Sequence, residues 1–331
     1  MSYLEREKKE IERYKKNINV HNLPKSTQYI NNQYLMKHLW HITGYTEYKV
    51  FFASEIKKYA AKTEGTIRIA SIGAGNCDHE NHLTRLVGLG SKVVFDCYEL
   101  NPAMIQRGKE NAKKAGIEMR FFQQNFNQIN FRENYDVFFA HHVLHHVENL
   151  EGLFKAIAQA GKPGYLFLIN DMIGRNGHMA WPKAYSYITS LWSSLPERLK
   201  WNAHMQRLDI ELPNYDQSGG GTSFEGIRTQ DILPLLDENF QFEYFIPFYS
   251  YINFIINRWF GHNYNVNPDD PDNDIALIDH LWYLDELFLK MKYLPPTQMF
   301  AKIVDPQVKN VELKTSIYNS VTEATYQNFL K

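Results

Sequence analysis

Residues 69–78 have the sequence IASIGAGNCD, in which a short apolar run ends in two glycines, Gly73 and Gly75, where a helix is about to begin. Glycine lets the backbone turn sharply and approach a ligand closely. The free N–H groups at a helix start favour an anionic group. The stretch therefore predicts a strand, a ligand-binding turn and a helix.

On both sides of this turn, short apolar runs alternate with amphipathic stretches, which is typical of a parallel sheet with crossover helices. The predicted strands are 67–72, 93–98, 119–123, 135–140 and 164–170, and the helices between them are 80–89, 102–115 and 150–160. Strand-helix-strand units are right-handed almost without exception. The expected fold class is therefore α/β, a doubly wound Rossmann-like sheet with its binding crevice at the carboxyl edge of the strands.

The remaining segments are expected to surround this core. The opening residues alternate Glu with Lys at helical spacing and predict an exposed helix within an N-terminal helical cap. A stretch rich in Trp, Tyr and His after the fifth strand is too long for a normal connection and predicts a mainly helical insertion that shapes a substrate pocket. The predicted divisions are a cap (1–64), a core (65–172), an insertion (173–239), closing strands and helices (240–305) and a polar tail (306–331).

Charge and composition restrict the partners. The 331 residues contain 36 Lys and Arg against 37 Asp and Glu, a net charge of −1 that provides no general attraction for nucleic acid. The longest stretch without a charged residue, 244–257, is shorter than the ~20 residues of a membrane span, and residues 1–16 do not resemble a signal peptide. Cys77 and Cys97 cannot form a disulfide framework. We expect a cytoplasmic protein without nucleic-acid or membrane partners, and its oligomeric state stays open.

An acidic residue ends the second predicted strand. Glu99 follows the glycines by about twenty-five positions, where a Rossmann-type site hydrogen-bonds a ribose diol. The dinucleotide fingerprint needs a third glycine, but Asp78 occupies that position. A pyrophosphate would meet a carboxylate there, whereas the ammonium of a ligand that carries an amino acid could face Asp78 or Glu80. A nicotinamide-dependent oxidoreductase is therefore the weaker alternative.

Taken in order, the motifs of the core resemble those of class I S-adenosylmethionine-dependent methyltransferases. They are IGAG at 72–75, Glu99, NFN at 125–127 and YDVFF at 135–139, which leads into LHH at 144–146. The resemblance covers residues 65–172 and, more loosely, the last two predicted strands, 240–249 and 298–304. The family usually has Asp where this chain has Asn125, although an amide oxygen can also accept from an adenine amino group.

The resemblance implies a seven-stranded sheet, with S-adenosylmethionine as the cofactor and S-adenosylhomocysteine as its product. It implies that Gly73 to Gly75 pass under the methionine part, that Glu99 holds the ribose hydroxyls, and that Asn125 and the Phe126 backbone contact the adenine edge. The complete implied cofactor-binding set is Gly73, Ala74, Gly75, Asn76, Asp78, Glu99, Leu100, Asn125, Phe126 and His141.

Methyl transfer from a sulfonium is an in-line displacement, so the protein must align a nucleophile and, for a hydroxyl or an amine, remove a proton. The segment HHVLHH at 141–146 supplies His142 and His145, which would share one face of a helix. Asp171 at the end of the fifth strand and His178 in the following loop are alternative bases, and local packing explains these residues equally well. We expect no metal, because no nearby Cys or paired acidic residue completes a set of three or four ligands.

Candidate acceptor-binding residues lie outside the core. Arg175 is a possible anion anchor, Glu225 and Arg228 follow a triple glycine and either clamp a substrate or pair with each other, and aromatic residues are candidate pocket walls. The candidate walls are Trp181, Tyr29 and Tyr34. The expected function is methyl transfer to a small-molecule acceptor, with oxygen or nitrogen favoured over carbon. A catalytically inactive, methyltransferase-like binding protein is a further alternative.

Overall fold

A computed structural model describes residues 2–16, 23–213 and 224–329. Its main feature is a seven-stranded sheet, accompanied by a separate two-stranded hairpin. The strands are β1 (Ile67–Ile72), β2 (Val93–Glu99), β3 (Met119–Gln123), β4 (Tyr135–His141), β5 (Gly161–Met172), the hairpin strands β6 (Trp201–Asn202) and β7 (Arg207–Leu208), β8 (Gln241–Phe248) and β9 (Gln298–Val304).

The strand order in the sheet is β3-β2-β1-β4-β5-β9-β8. The first five strands are parallel, and β9 runs antiparallel to both β5 and β8. This arrangement confirms the predicted Rossmann-like fold of the class I methyltransferase type. The chain changes direction across the sheet between β1 and β4, and such a switch point is where ligands bind in open α/β sheets.

Eleven α-helices lie in the described residues, and two of them are joined by a π-helical turn over Asn31–Leu35. They are α1 (Tyr3–Lys16), α2 (Lys25–Ile30), α3 (Met36–Thr43), α4 (Tyr48–Ala61), α5 (Asp78–Val87), α6 (Pro102–Ala115), α7 (Leu150–Ala160), α8 (Pro182–Ser194), α9 (Thr229–Asn239), α10 (Ile252–Ile255) and α11 (Ile275–Lys290). None of the helices in this part of the chain combines the length and apolar character that a membrane span requires.

Both faces of the sheet are covered, because alternate side chains of each strand enter different cores. On β4, Phe138 packs in the core that holds α7 and α9, whereas Phe139 packs in the core that holds α4 and α5. This burial explains why the strands appear in the sequence as continuous apolar runs. A third core joins the N-terminal helices to the insertion, with Leu39 of α3, Trp192 of α8 and Trp282 of α11 among its members.

The histidine segment after β4 is not the helix that the sequence suggested. His141 is the last residue of β4, His142 has a left-handed φ of 49°, and a single 3₁₀ turn spans Leu144–His146. The cause is the Asp171 carboxylate, which accepts the backbone N–H groups of Val143 and Leu144 at 2.8 and 2.7 Å. These N–H groups donate to a side chain instead of to the backbone carbonyl groups of a preceding helical turn.

Candidate active site

The glycine turn after β1 lies against the loop after β4. Gly73 and Gly75 have φ values of 66° and 54°, a conformation that favours glycine. A Cβ atom at Gly73 would lie 2.3 Å from Cγ2 of Val143, so the close approach leaves no space for a side chain. The N–H groups of Gly73 and Ala74 both donate to the carbonyl of Tyr98, which fixes the turn beside the end of β2.

Glu99 lies beneath this turn. Its Oε2 atom accepts from the Gly75 N–H at 2.9 Å, and its Oε1 atom accepts from the Asn101 N–H at 2.8 Å. Burial raises the pKa of Glu99, while these backbone hydrogen bonds oppose the rise. A carboxylate has about four lone-pair sites. Glu99 therefore retains acceptor capacity for a pair of hydroxyl groups, as the ribose of S-adenosylmethionine requires.

Asn125, at the end of β3, contacts helix α1. Its Oδ1 atom accepts from the Tyr3 hydroxyl at 2.7 Å and from the Asn127 N–H at 2.9 Å, and its Nδ2 atom donates to Glu7 Oε2 at 3.1 Å. The carbonyl of Ile11 also accepts from a side chain at the end of β2. The expectation that the opening helix is simply exposed is therefore wrong, because one of its faces covers this edge of the sheet.

One cavity of about 1550 Å³ runs from α1 past the glycine turn to the loop after β5. All ten residues of the implied cofactor-binding set line it. The same cavity is lined by further residues that the sequence nominated for chemistry or acceptor binding, namely His142, His145, His178, Arg175 and Glu225. Glu99 and Asn125 line the cavity near the glycine turn, and its lining also includes several imidazole and carboxylate groups.

The three aromatic residues predicted as pocket walls lie outside the cavity. Tyr29 donates to Asp279, and Tyr34 stacks on Trp282 at a ring distance of 5.3 Å. Trp181 stacks on Tyr326 at 5.2 Å. None of these nominated side chains lines the cavity, and all are held by packing or hydrogen bonds within the helical core.

Arg228 and Glu80 also have partners away from the cavity. Arg228 forms ion pairs with Glu151 at 2.6 Å and with Asp231 at 2.8 Å, and not with Glu225. Glu80 is buried, and Ser71 donates to its carboxylate at 2.5 Å. Of the two acidic residues considered for an ammonium group, only Asp78 lines the cavity.

Asp171 is fully buried behind the histidine segment. Besides the two backbone N–H groups of the β4 loop, it accepts from its neighbour Met172 N–H and from His145 Nδ1 at 2.6 Å. Burial alone would raise the pKa of Asp171, but the His145 ring lowers it to about 2. Because a carboxylate of this kind can only accept, the Nδ1 atom of His145 carries the proton and its Nε2 atom faces the cavity.

Glu225 is the second carboxylate of this cluster. Its Oε1 atom lies 2.9 Å from His178 Nε2 and 3.5 Å from His145 Nε2, and Tyr14 donates to Oε2 at 3.1 Å. Burial alone would raise the pKa of Glu225, but the neighbouring histidines hold it well below its usual value. Burial likewise favours the neutral form of His145, yet Asp171 and Glu225 together raise its pKa to about 10.

Several cavity residues were not foreseen. Glu10 and Tyr14 of α1 line the cavity, and Tyr3 and Glu7 of the same helix contact Asn125. The spacing of these four residues, three to four positions, is a helical face that could have indicated a buried side. It was missed because the face is polar. The argument against a metal was also incomplete, because the fold brings distant acidic residues, Asp171 and Glu225, to the histidine segment.

Fold and cavity together define a Rossmann-like domain with a crevice at its switch point, where open α/β sheets bind ligands. The sequence model of the family described as "Methyltransferase domain" matches residues 71–169, which contain the glycine turn, Glu99 and the histidine segment. The chain thus carries a class I methyltransferase domain, and S-adenosylmethionine is the cofactor of this class. No curated protein sequence matches the chain significantly.

Solved structures with a similar architecture share little sequence with this chain. They include a SAM dependent methyltransferase from Aquifex aeolicus (17% identity, 38% of this chain and 65% of that chain, TM-score 0.31) and the StiE O-MT fragment of residues 961–1257 (13% identity, 77% and 75%, TM-score 0.41). Another is the [4+2]-cyclase SpnF (11% identity, 76% and 81%, TM-score 0.41). The chain thus spans slightly less than two thirds of the Aquifex protein.

Proposed function

We propose that this protein transfers a methyl group from S-adenosylmethionine to a hydroxyl or amine of a small molecule. The observation that carries the proposal is the single cavity in which the glycine turn and Glu99 lie at one end and the cluster around His142, His178 and Glu225 at the other. The proposed cofactor site and a set of titratable side chains therefore line the same cavity. Methyl transfer to oxygen or nitrogen needs this combination, because the acceptor must lose a proton.

The residues at the cofactor end suit the adenosyl and methionine groups. Glu99 would hold the ribose hydroxyls, Asn125 and Phe126 would lie at the adenine edge, and the turn from Gly73 to Gly75 would lie along the methionine part. When bound, the cofactor supplies an electrophilic methyl group on a sulfonium. The protein's contribution is to bind, to orient the acceptor and to accept its proton.

Among the nominated bases, we assign proton removal to His142. Its side chain lines the cavity, and burial lowers its pKa to about 4, so the imidazole is neutral at neutral pH and has a free lone pair for the acceptor proton. His145 is charged between two carboxylates, and Asp171 is buried with four hydrogen-bond donors. We therefore interpret Asp171 and His145 as positioning residues that shape the loop on which His142 lies.

The cover of the cavity supports a small acceptor. Helix α1 lies over the crevice through Tyr3, Glu7 and Tyr14, so a polymer would have to displace it. Arg175 lines the cavity and donates to the Ala180 carbonyl at 3.3 Å, which leaves its guanidinium with further donors for an anionic part of the acceptor.

Parallel calorimetric titrations with S-adenosylmethionine, S-adenosylhomocysteine and the nicotinamide dinucleotides test the cofactor part of the proposal. We expect micromolar binding of the two sulfur compounds alone, and binding of the dinucleotides alone would overturn it. A panel of small hydroxyl and amine compounds with radiolabelled methyl donor then tests transfer. A protein that binds the donor but labels no acceptor would agree with the alternative of an inactive binding protein.

A further inference from the structure

The cluster at the far end of the cavity has a geometry that proton transfer does not explain. The Nε2 atoms of His145 and His146 lie near the same half-buried carboxylate, at 3.5 Å from Oε1 and 3.9 Å from Oε2 of Glu225. One ligand atom from each of these three residues can be chosen so that all lie within 4.8 Å of one another. From these contacts we infer that His145, His146 and Glu225 form a binding site for a divalent transition-metal ion of the zinc or ferrous class.

The distances suit such an ion. Zinc holds imidazole nitrogen and carboxylate oxygen at about 2.0–2.2 Å, so neighbouring ligand atoms of a tetrahedral site lie roughly 3.3–3.6 Å apart. The separation of His145 Nε2 from Oε1 of Glu225, 3.5 Å, lies within that range, and that of His146 Nε2 from the other carboxylate oxygen, 3.9 Å, lies slightly above it. Imidazole with carboxylate is a ligand set for zinc, iron and related metals, rather than for magnesium or calcium, which prefer oxygen.

Carboxylates behind the two histidines support the same conclusion. His145 Nδ1 donates to Asp171 at 2.6 Å, and His146 Nδ1 lies 2.9 Å from Glu10 Oε1, a close contact that is not directed as a hydrogen bond. Metal-binding histidines usually present the second ring nitrogen to a carboxylate, which fixes the ring orientation. Here the His145 ring has that hydrogen bond, from Asp171 of β5, and the His146 ring has the Glu10 carboxylate of α1 beside its second nitrogen.

Other groups at Glu225 define the surroundings of the ion. His178 Nε2, at 2.9 Å from Oε1, is placed to serve as a fourth ligand after a small adjustment, and the Tyr14 hydroxyl donates to Oε2. Arg13 reaches Oε2 at 3.4 Å with a side chain that is 46% exposed. A metal ion would take over the positive charge that Arg13 brings to Glu225 in its absence. The site shares His145, His178 and Glu225 with the cluster of the proposed methyl transfer, but metal binding does not require that transfer.

Metal binding to the full chain is the test, with Zn²⁺ and Co²⁺ as the probes. Protein dialysed against a chelator is titrated with Zn²⁺ by calorimetry, and Co²⁺ is followed by its visible absorption. We expect one equivalent of Zn²⁺ to bind and Co²⁺ to develop the intense bands of a four-coordinate site. Glu225→Gln and His146→Ala should each weaken binding by about a hundredfold or more, and Glu10→Gln by about tenfold, as for an outer-shell partner.

Two controls separate a metal site from a general loss of structure. His280→Ala, on an exposed position of α11, should bind Zn²⁺ as the wild type does, and Arg13→Ala should bind it more tightly because a competing charge is gone. Binding of S-adenosylhomocysteine reports that each variant is folded, and its failure in the wild type would count against the proposed function and not against the metal site. Wild-type protein without a stoichiometric Zn²⁺ site, or a folded Glu225→Gln variant with unchanged affinity, would overturn the inference.

Discussion

The side-chain amide of Asn125 donates to the Glu7 carboxylate across 118 positions of sequence, at 3.1 Å. This hydrogen bond joins the end of β3 to helix α1 and accounts for the departure from the family, which usually has Asp at this position. An Asp could still accept from Tyr3 and from the Asn127 N–H, but it has no donor for Glu7. The amide is therefore explained by the helix that covers the cavity, and not by the cofactor.

Replacement of this amide by a carboxylate should loosen α1. In Asn125→Asp, two carboxylates would face each other at about 3–4 Å, which costs about 1 kcal/mol when the pair is screened as in bulk water. Such a cost corresponds to about a fivefold increase in the population of undocked helix. Limited trypsin digestion at the basic residues of α1 measures it. The double variant Asn125→Asp with Glu7→Gln should return to the wild-type rate, and equal rates for single and double variants would contradict the assigned role of Glu7.

Loss of the charge at Glu99 should weaken cofactor binding. In Glu99→Gln one carboxylate oxygen becomes an NH₂ group, so a backbone N–H and a ribose hydroxyl lose an acceptor. Hydrogen bonds to a charged group contribute about 1.5–3 kcal/mol, equivalent to a ten- to hundredfold weaker affinity for S-adenosylhomocysteine by calorimetry. Glu110→Gln, on the exposed side of α6, is the matched control and should bind normally. Equal affinity in both variants would remove Glu99 from the cofactor site.

Two alanine variants should separate the steric effect of the close contact at Gly73 from the effect of its left-handed backbone conformation on stability. Gly73 and Gly116 have nearly equal φ values of 66° and 67°, but a Cβ at Gly116 meets nothing within 4 Å. Gly116→Ala should therefore show only the strain of a left-handed residue, about 1–2 kcal/mol in the free energy of unfolding. Gly73→Ala should lose a further 1–3 kcal/mol, about the usual cost of overpacking. Adding Val143→Ala should recover part of the urea stability of Gly73→Ala but not of Gly116→Ala.

Removal of the assigned base should affect turnover and not cofactor affinity. General base catalysis contributes about 10²–10⁴-fold, so His142→Ala should lower kcat by such a factor once an acceptor is known. Binding of S-adenosylhomocysteine should change less than threefold, roughly the limit of a 0.6 kcal/mol effect. His82→Ala, a histidine at the same cavity's edge on α5, is the control. A wild-type kcat in His142→Ala would leave His178 as the remaining nominated base.

Sequence reasoning worked best where one local signal decides the structure. The glycine turn, Pro102–Ala115 and the apolar strands were predicted at or near their observed bounds, because periodicity and helix-start signals lie within a few residues. The shape of the histidine segment could not be predicted in this way. It depends on Asp171, whose carboxylate returns from β5 to hold two N–H groups of another loop, and no local pattern contains that contact.

In the candidate site, too, features set by local sequence were predicted and features set by distant contacts were not. Gly73, Gly75 and Glu99, which we propose as cofactor-binding residues, lie at strand ends and were accessible from the sequence. Tyr29 and Tyr34 were considered as candidate pocket walls, whereas the residues that cover this edge of the sheet belong to α1. The aromatic side chains signal burial but do not indicate in which core. The polar face of α1 is buried by contacts with Asn125 and Glu225, which lie far away in the sequence, so no apolar pattern within the helix predicts its burial.

Glu80 should make the stability of the protein depend on pH. Its side chain is 2% exposed, its Oε1 accepts from Ser71, and burial raises its pKa to about 7 from an ordinary value of 4.5. Between these values the native state keeps a proton that the unfolded state has released, so the free energy of unfolding falls as the pH rises through this window. The loss amounts to about 3 kcal/mol for a group of this shift and is complete above pH 7.

The variant Glu80→Gln retains the acceptor for Ser71 and cannot ionise. In urea unfolding, its free energy of unfolding should therefore exceed that of the wild type by nearly zero at pH 4.5 and by about 3 kcal/mol at pH 8. A difference that does not change with pH would show that Glu80 has an ordinary pKa in the folded protein.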